Sequence, residues 1–208
     1  MQSLKPSNAH RLDRYSSDLG RAKEQTLFNF NTTIDEQHRE LLQACKDAAM
    51  DFAEHLKGWL VLYGSSGNGK SHLAAAVRNH VVEVMGKPAI YITAPDLLYM
   101  LRKMFNQQTR QEEGETFEDR LDAYRKAPVL ILDDFGAERI NEWANEIFFS
   151  ILDYRYRLRL PTMITTNLDP HDVKNFDIRL VTRMTDAELC IVIENTEPNY
   201  RARSTEER

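Results

Sequence analysis

Eight consecutive residues, Gly64-Ser65-Ser66-Gly67-Asn68-Gly69-Lys70-Ser71, carry the pattern G-x-x-x-x-G-K-[ST] in full. Each residue type in it has a physical task in holding phosphate. Glycines let the backbone turn tightly, so that successive N–H groups point inward as an anion cradle. A helix opening near Gly69 adds the positive end of its dipole. Lys70 supplies a mobile charge for β- and γ-phosphates, and the Ser71 hydroxyl suits a Mg²⁺ ligand. The pattern carries meaning only between a strand and a helix. Here Trp59-Leu60-Val61-Leu62-Tyr63 reads as a buried strand before it, and His72 to Met85 reads as a helix after it.

A second constellation lies downstream. The apolar run Val129 to Leu132 leads into Asp133-Asp134. Two carboxylates at a strand end, beside a phosphate loop, suit a Mg²⁺ shell (Asp133) and a general base for water (Asp134). An Asp reaches less far than a Glu, so hydrolysis is expected to be slow. Asn167 ends the run Thr162-Met163-Ile164-Thr165-Thr166. In a parallel sheet it would reach the same edge and orient water or sense the γ-phosphate; otherwise it is a turn residue before Asp169-Pro170. Arg179 and Arg183, four apart on a helical pattern, share one face. They read either as a surface salt-bridge face or as arginines aimed at a neighbouring subunit's γ-phosphate.

These residues need a scaffold, and the hydrophobic pattern supplies one. Short apolar strands (59–63, 89–93, 129–133, 162–166, 189–193) alternate with helical segments (72–85, 95–106, about 117–126, 141–158). Continuous apolar strands between helices predict an α/β fold, a parallel five-stranded sheet covered on both faces. The expected organisation is a loose polar arm over 1–25, a linker and helix over 26–57, a core over 58–195 and a polar tail over 196–208. The helix is expected from Ile34 to about Leu56, with Asp35 and Glu36 near its start and Lys57-Gly58 at its end.

The 208 residues are 42% hydrophobic with a net charge of -5, which suits one mildly acidic domain. Cys45 and Cys190 are too few for a disulfide framework or a structural zinc site. No apolar run reaches membrane-span length and the first twenty residues have no apolar core of a signal peptide, so a cytoplasmic protein is expected. Of only eight glycines, Gly64, Gly67 and Gly69 fall within six positions.

With these motifs in order, the chain resembles the AAA+ ATPases of the bacterial DnaC/DnaI helicase-loader group, which includes IstB-type transposition ATPases. The resemblance covers about Phe28 to Arg201. It rests on Leu62-Tyr63-Gly64 leading into Gly69-Lys70-Ser71-His72-Leu73-Ala74, and on Thr93-Ala94-Pro95-Asp96-Leu97-Leu98. It rests further on Leu132-Asp133-Asp134-Phe135-Gly136-Ala137-Glu138, Arg155-Tyr156 before Leu160-Pro161-Thr162, Ile164 to Leu168, and Arg179 to Met184.

The resemblance implies a P-loop AAA+ fold that binds and hydrolyses ATP with Mg²⁺ at subunit interfaces. Gly64 through His72 would hold nucleotide, Ser71 and Asp133 the metal. Asp133-Asp134 would be Walker B, Asn167 sensor 1 and Arg183 an arginine finger acting in trans. Phe28-Asn29-Phe30 would flank the adenine pocket, and Arg201 after Tyr200 is a candidate C-terminal sensor. A replicative helicase and single-stranded DNA are the implied partners, beside self-association. Loaders usually carry a larger N-terminal helicase-gripping domain, but only about fifty residues precede the core. The chain also stops soon after the fifth strand, so no C-terminal lid domain is expected. On the helix after the second strand, Tyr99, Arg102, Lys103 and Phe105, with Arg110 beyond, read as a basic and aromatic patch for single-stranded DNA. The competing reading makes Leu98, Leu101 and Phe105 core and the charges solvated. Arg155, Arg157 and Arg159 read as subunit-interface and surface charges. A transposition helper that binds a transposase, and an ATP-gated adaptor with little hydrolysis, are the alternative functions.

Overall fold

The computed structural model describes residues 8–33, 36–107, 115–136 and 141–196. The expectations placed on Ile34, Asp35, Arg110, Ala137, Glu138, Tyr200 and Arg201 lie outside them. Five parallel strands, β1 (Trp59–Tyr63), β2 (Ile90–Thr93), β3 (Leu130–Phe135), β4 (Thr162–Thr166) and β5 (Cys190–Glu194), form one sheet in the order β2-β3-β4-β1-β5. Helix α1 (Arg39–His55) precedes the sheet. The crossovers hold α2 (Lys70–Asn79), α3 (Ala94–Gln107), α4 (Phe117–Lys126), α5 (Glu142–Arg157) and α6 (Ile178–Met184). Because all strands run the same way, their C-terminal ends gather on one edge, where a site can be assembled from several loops.

The period-two alternation of each strand feeds two cores. Trp59 and Val61 enter the layer closed by α3, α4, α5 and α6, through Leu97, Tyr124, Phe148 and Leu180. Leu60 and Leu62 enter the opposite layer, closed by α1 and α2 through Cys45, Phe52, Leu73 and Val77. Strands β1 and β4 occupy the expected residues, and β3 runs on to Phe135. Helix α1 starts at Arg39 rather than near Ile34. It ends on Leu56, whose φ of 50° takes the left-handed cap position before Gly58 is reached. After Asn79 the α2 crossover widens into one loose turn, His80–Val84, in which the Met85 N–H donates to the His80 carbonyl (3.0 Å).

Three expectations are corrected. The described part of the polar arm is docked, as two short 3₁₀ helices, Asn8–Tyr15 and Gly20–Glu24. Ser17 N–H donates to the Tyr91 carbonyl (2.8 Å), and Thr93 N–H donates to Ser17 Oγ (3.1 Å), which covers the free edge of β2. Asn79 Nδ2 holds the carbonyls of Ala22 (2.9 Å) and Gln25 (2.8 Å), and Arg78 pairs with Asp13 (2.7 Å). Polar bonds and a few apolar contacts together fix the segment, with Tyr15 buried in one core and Ala9 in the other. Phe105 is 57% exposed while Leu98 and Leu101 are buried. At the last turn of α3 its neighbour is Phe117, edge-on at 6.1 Å, rather than the sheet. Arg155 is neither a surface nor an interface charge: its side chain is fully buried. Arg157 does lie on the surface, paired with Asp153 (2.9 Å).

Candidate nucleotide site

The turn between β1 and α2 has Gly64, Gly67 and Gly69 at φ of 126°, 80° and 94°, a region side chains disfavour. Neighbours add a second demand. A Cβ on Gly64 would overlap the Asn195 carbonyl oxygen, and one on Gly69 would sit 2.8 Å from the Phe30 ring. Lys70 Nζ donates to the carbonyls of Gly64 (2.8 Å) and Ser65 (2.7 Å) and to Asn68 Oδ1 (3.0 Å). Burial pushes the Lys70 pKa down to about 8, against the pull of the Asp134 and Asp133 carboxylates close by.

The acidic strand end contains a device that alternation alone does not predict. Register runs Leu132 opposite Ile164 and then Phe135 opposite Thr166, so Asp133 and Asp134 together face Thr165. This β-bulge, with Asp134 at φ 54°, shifts the parity of the strand. Phe135 rather than Asp134 therefore enters the α5–α6 core, stacked on Phe176 (5.0 Å) and edge-on to Phe148 (4.8 Å). Asp134 is released toward the phosphate loop. The Thr165 hydroxyl replaces the missing ladder bond: it accepts the Asp134 N–H (3.1 Å) and donates to Asp133 Oδ1. Tyr91 Oη donates to Asp133 Oδ2 (2.6 Å). The Asp133 carboxylate is buried and fixed, yet a carboxylate accepts about four hydrogen bonds or ligands, so lone pairs remain for a metal-bound water.

Ser66 to His72, Asp134 and Asn167 line one cavity of about 430 Å³. Gln25, Asn29, Phe30, Asn31 and Leu42 form its other wall. Gly64 and Ser65 lie behind this lining and contribute through their carbonyls to Lys70. Asp133 lies beneath it. His72 Nε2 donates to the Thr26 carbonyl (3.2 Å) and to Asn29 Oδ1 (3.0 Å), and its ring meets Phe30 edge-on (5.3 Å). Burial holds the His72 pKa below its usual value, which keeps it a neutral tether at physiological pH. The Phe28-Asn29-Phe30 patch thus splits: Phe30 and Asn29 form the wall, and Phe28 is 80% exposed.

Arg179 and Arg183 share a face, both stacked on Phe149 (4.2 and 4.7 Å from the ring centre). Arg183 pairs with Asp153 (2.5 Å) and donates to the Arg179 carbonyl (2.7 Å); Arg179 pairs with Asp177 (2.8 Å) and Glu146 (2.6 Å). Burial raises the Asp153 pKa, but Arg183 and Arg157 outweigh it and hold the carboxyl below the usual range. Neither Arg179 nor Arg183 lines the cavity of its own chain. The sequence pattern had not marked Thr165, Tyr91, Gln25, Leu42 or Asn195 as parts of the site. The three residues Ile164-Thr165-Thr166 before Asn167 were the one available signal, since a hydroxyl at the register position of two aspartates is a natural partner for them.

The residues fit a nucleotide. A left-handed glycine turn opens onto a helix N-terminus, and a buried lysine and a serine hydroxyl stand on one side of the cavity, with an apolar and amide wall on the other. Bound Mg²⁺ would neutralise charge on the terminal phosphates. Ser71 and Asp133 would hold it, Lys70 would pair with phosphate oxygens, and Asp134 with Asn167 would orient water.

A parallel sheet with this loop after β1 and an acidic bulge on β3, with β4 between them, defines a P-loop nucleotide-binding fold of the AAA+ class. The model of the IstB-like ATP binding protein family matches residues 8–206, and the chain belongs to that family. It is 31% identical over 137 residues to the replicative helicase loader DnaI of Bacillus subtilis (strain 168), across 65% of this chain and 42% of that one. It is 27% identical over 188 residues to the replicative helicase loader DnaC of Buchnera aphidicola subsp. Schizaphis graminum, across 87% and 72%. The chain therefore spans less than half of the B. subtilis relative. Among solved structures, one of DnaI aligns with a TM-score of 0.61 at 27% identity, covering 86% of this chain and 92% of that one. A DnaC helicase loader shares the fold with a TM-score of 0.67 at 23% identity, covering 85% and 99%.

Proposed function

We propose that the protein is an ATP-dependent loader of a replicative helicase, hydrolysing ATP with Mg²⁺ at interfaces between its own copies. The observation that carries this reading is the convergence of Lys70, Ser71, Asp134 and Asn167 on one cavity, with Arg183 placed outside it. Lys70 and the loop amides hold the phosphates, Asp134 takes the proton of the attacking water, and Asn167 orients that water. Arg183 serves the neighbour's site, for which it exchanges its bond to Asp153. The helicase-loader names of the relatives support the partner. Single-stranded DNA is taken by the face of α3 that carries Arg102, Lys103 and the exposed Tyr99 and Phe105. Arg102 lies over the Trp143 ring of α5 (5.1 Å). Work on replicating DNA sets the protein in the cytoplasm. Among the described residues no helix is long and apolar enough to cross a membrane.

The test is co-elution of the full chain with the replicative helicase of its host, with and without ATP. ATP-dependent co-elution supports the reading. Recovery of a transposase instead moves the protein to the transposition role of its IstB-like relatives, and a chain that binds ATP without measurable turnover moves it to the adaptor role.

Two variants probe the chemistry. Arg183→Ala is expected to keep ATP affinity and lose turnover about 10³-fold. Mixing it with Asp134→Asn should restore part of the rate, because some interfaces then pair an intact Asp134 with an intact Arg183. Absence of rescue in the mixture counts against a trans role. Thr165→Val keeps the side-chain shape and removes the hydroxyl between the two carboxylates. It should lower kcat by about tenfold or more with the KM for ATP nearly unchanged, and Thr165→Ser should recover most of the rate.

A further inference from the structure

The phosphate loop is tied to the far end of the chain by a reciprocal bond pair. Asn68 Nδ2 donates to the Asn195 carbonyl (2.6 Å), and Asn195 Nδ2 donates to the Asn68 carbonyl (2.9 Å). Both side chains are buried, Asn68 at 3% and Asn195 at 0% exposure. Asn195 is itself fixed by its N–H to the Tyr63 carbonyl (2.7 Å), directly beyond β5, and its own carbonyl fills the space that a side chain at Gly64 would need. The loop thus rests against the exit of β5 at both its first glycine and its fifth residue.

The third bond of Asn68 gives this contact a role in binding. An ammonium has three N–H donors, and those of Lys70 have three acceptors: Gly64 O, Ser65 O and Asn68 Oδ1. Pairing with phosphate requires Lys70 to release at least one of them. The bond to Asn68 is the longest of the three and the only one to a side chain. Once Lys70 turns to phosphate, Asn68 is held by both bonds of the pair, its amide on the Asn195 main-chain carbonyl and its own main-chain carbonyl under the Asn195 side-chain amide. The pair therefore matters more to the nucleotide-bound loop than to the free one.

We infer that Asn195 is a positioning residue for the phosphate loop, acting through Asn68 to hold the loop amides in register for phosphate while Lys70 is engaged. This rests on the nucleotide-site reading above and adds to it a residue outside the loop motif.

The test is the Kd of a fluorescent, non-hydrolysable ATP analogue with Mg²⁺, measured beside the melting temperature of the nucleotide-free protein. Asn195→Ala should weaken binding by about tenfold, as expected when a buried carbonyl loses its donor, while the nucleotide-free melt falls by only a few degrees. Asn68→Ala and Asn195→Ala each remove one bond of the reciprocal pair; together they should weaken binding less than the product of their separate effects, because the two bonds close one ring and loss of either loosens the other. A merely structural asparagine would lower the melt and leave the Kd of the folded fraction unchanged, which would overturn the inference. Should Asn195→Ala fail to fold, amide exchange on the wild-type chain decides: the analogue should slow exchange at the Asn195 N–H together with the loop. Slowing confined to the loop overturns the inference. Wild-type protein that takes up no analogue overturns the nucleotide-site reading itself, and the inference with it.

Discussion

Lys70→Ala is expected to remove nucleotide binding while leaving the fold in place. The charge-assisted bonds of one buried ammonium to phosphate amount to roughly 3 kcal/mol or more, so affinity should fall at least a hundredfold. The folded protein loses little in return. Lys70 is a buried charge whose hydrogen-bond partners are neutral oxygens, and its lowered pKa records that burying the proton costs free energy. The unfolded lysine titrates near the usual 10.5 and the folded one at about 8. Between those values the unfolded chain holds the extra proton, so this group penalises folding fully below pH 8 and the penalty disappears as pH rises to 10.5. The same titration governs binding, because only the protonated amine pairs with phosphate. Affinity of the wild-type chain should drop about tenfold from pH 7 to pH 9, and the residual affinity of Lys70→Ala should not follow that profile. Thermal melts with and without an ATP analogue across this range check both statements. A wild-type-like nucleotide shift in Lys70→Ala would remove the site assignment altogether.

How much of this site could be read from sequence depended on how locally each part is specified. The loop from Gly64 to Ser71 is contiguous and sits between a strand and a helix, so its residue types and its setting are both visible in one window. Asp133 and Asp134 were visible as residue types but not as geometry. Simple alternation puts them on opposite faces of β3, and the bulge that brings Asp134 to the cavity depends on Thr165, a residue from another strand. Asn195 was invisible for the same reason at longer range, since nothing near position 195 resembles a phosphate site until β5 is laid beside β1. The N-terminal residues misled in the other direction. Absence of an apolar period signals a segment that cannot build a core of its own, but Ser17 finds its bonds on β2 and the carbonyls of Ala22 and Gln25 find theirs on Asn79. Arg155 is the sharpest case, because among Arg155, Arg157 and Arg159 near a helix end no sequence mark separates a surface charge from a buried one.

That arginine carries the other large expected effect. Its Nε donates to Thr162 Oγ1 (2.9 Å), Nη1 to the carbonyls of Tyr124 (3.2 Å), Arg125 (3.1 Å) and Ala127 (2.8 Å), and Nη2 to the Pro161 carbonyl (2.6 Å). Burial lowers its pKa to about 9, which leaves it charged at neutral pH. The acceptors lie at the end of α4 and just ahead of β3 and β4, the two strands whose other ends deliver Asp133, Asp134, Thr165 and Asn167. Replacing a buried ion pair by apolar groups can be harmless, because both charges go. Here four of the five partners are main-chain carbonyls and stay behind. Arg155→Met leaves them buried without donors at about 1–3 kcal/mol each, reduced where the chain can relax. A net loss of about 3–5 kcal/mol is expected, seen as a melting temperature lower by roughly 10 °C. Arg155→Lys should recover little, since one ammonium cannot span acceptors on both the α4–β3 and α5–β4 connections. Well below its melting temperature, the Arg155→Met protein should still bind nucleotide with near wild-type affinity, because Arg155 lies at the opposite edge of the sheet from the cavity. A large loss of affinity without a loss of stability would show instead that the strand starts and the phosphate site are coupled through the sheet.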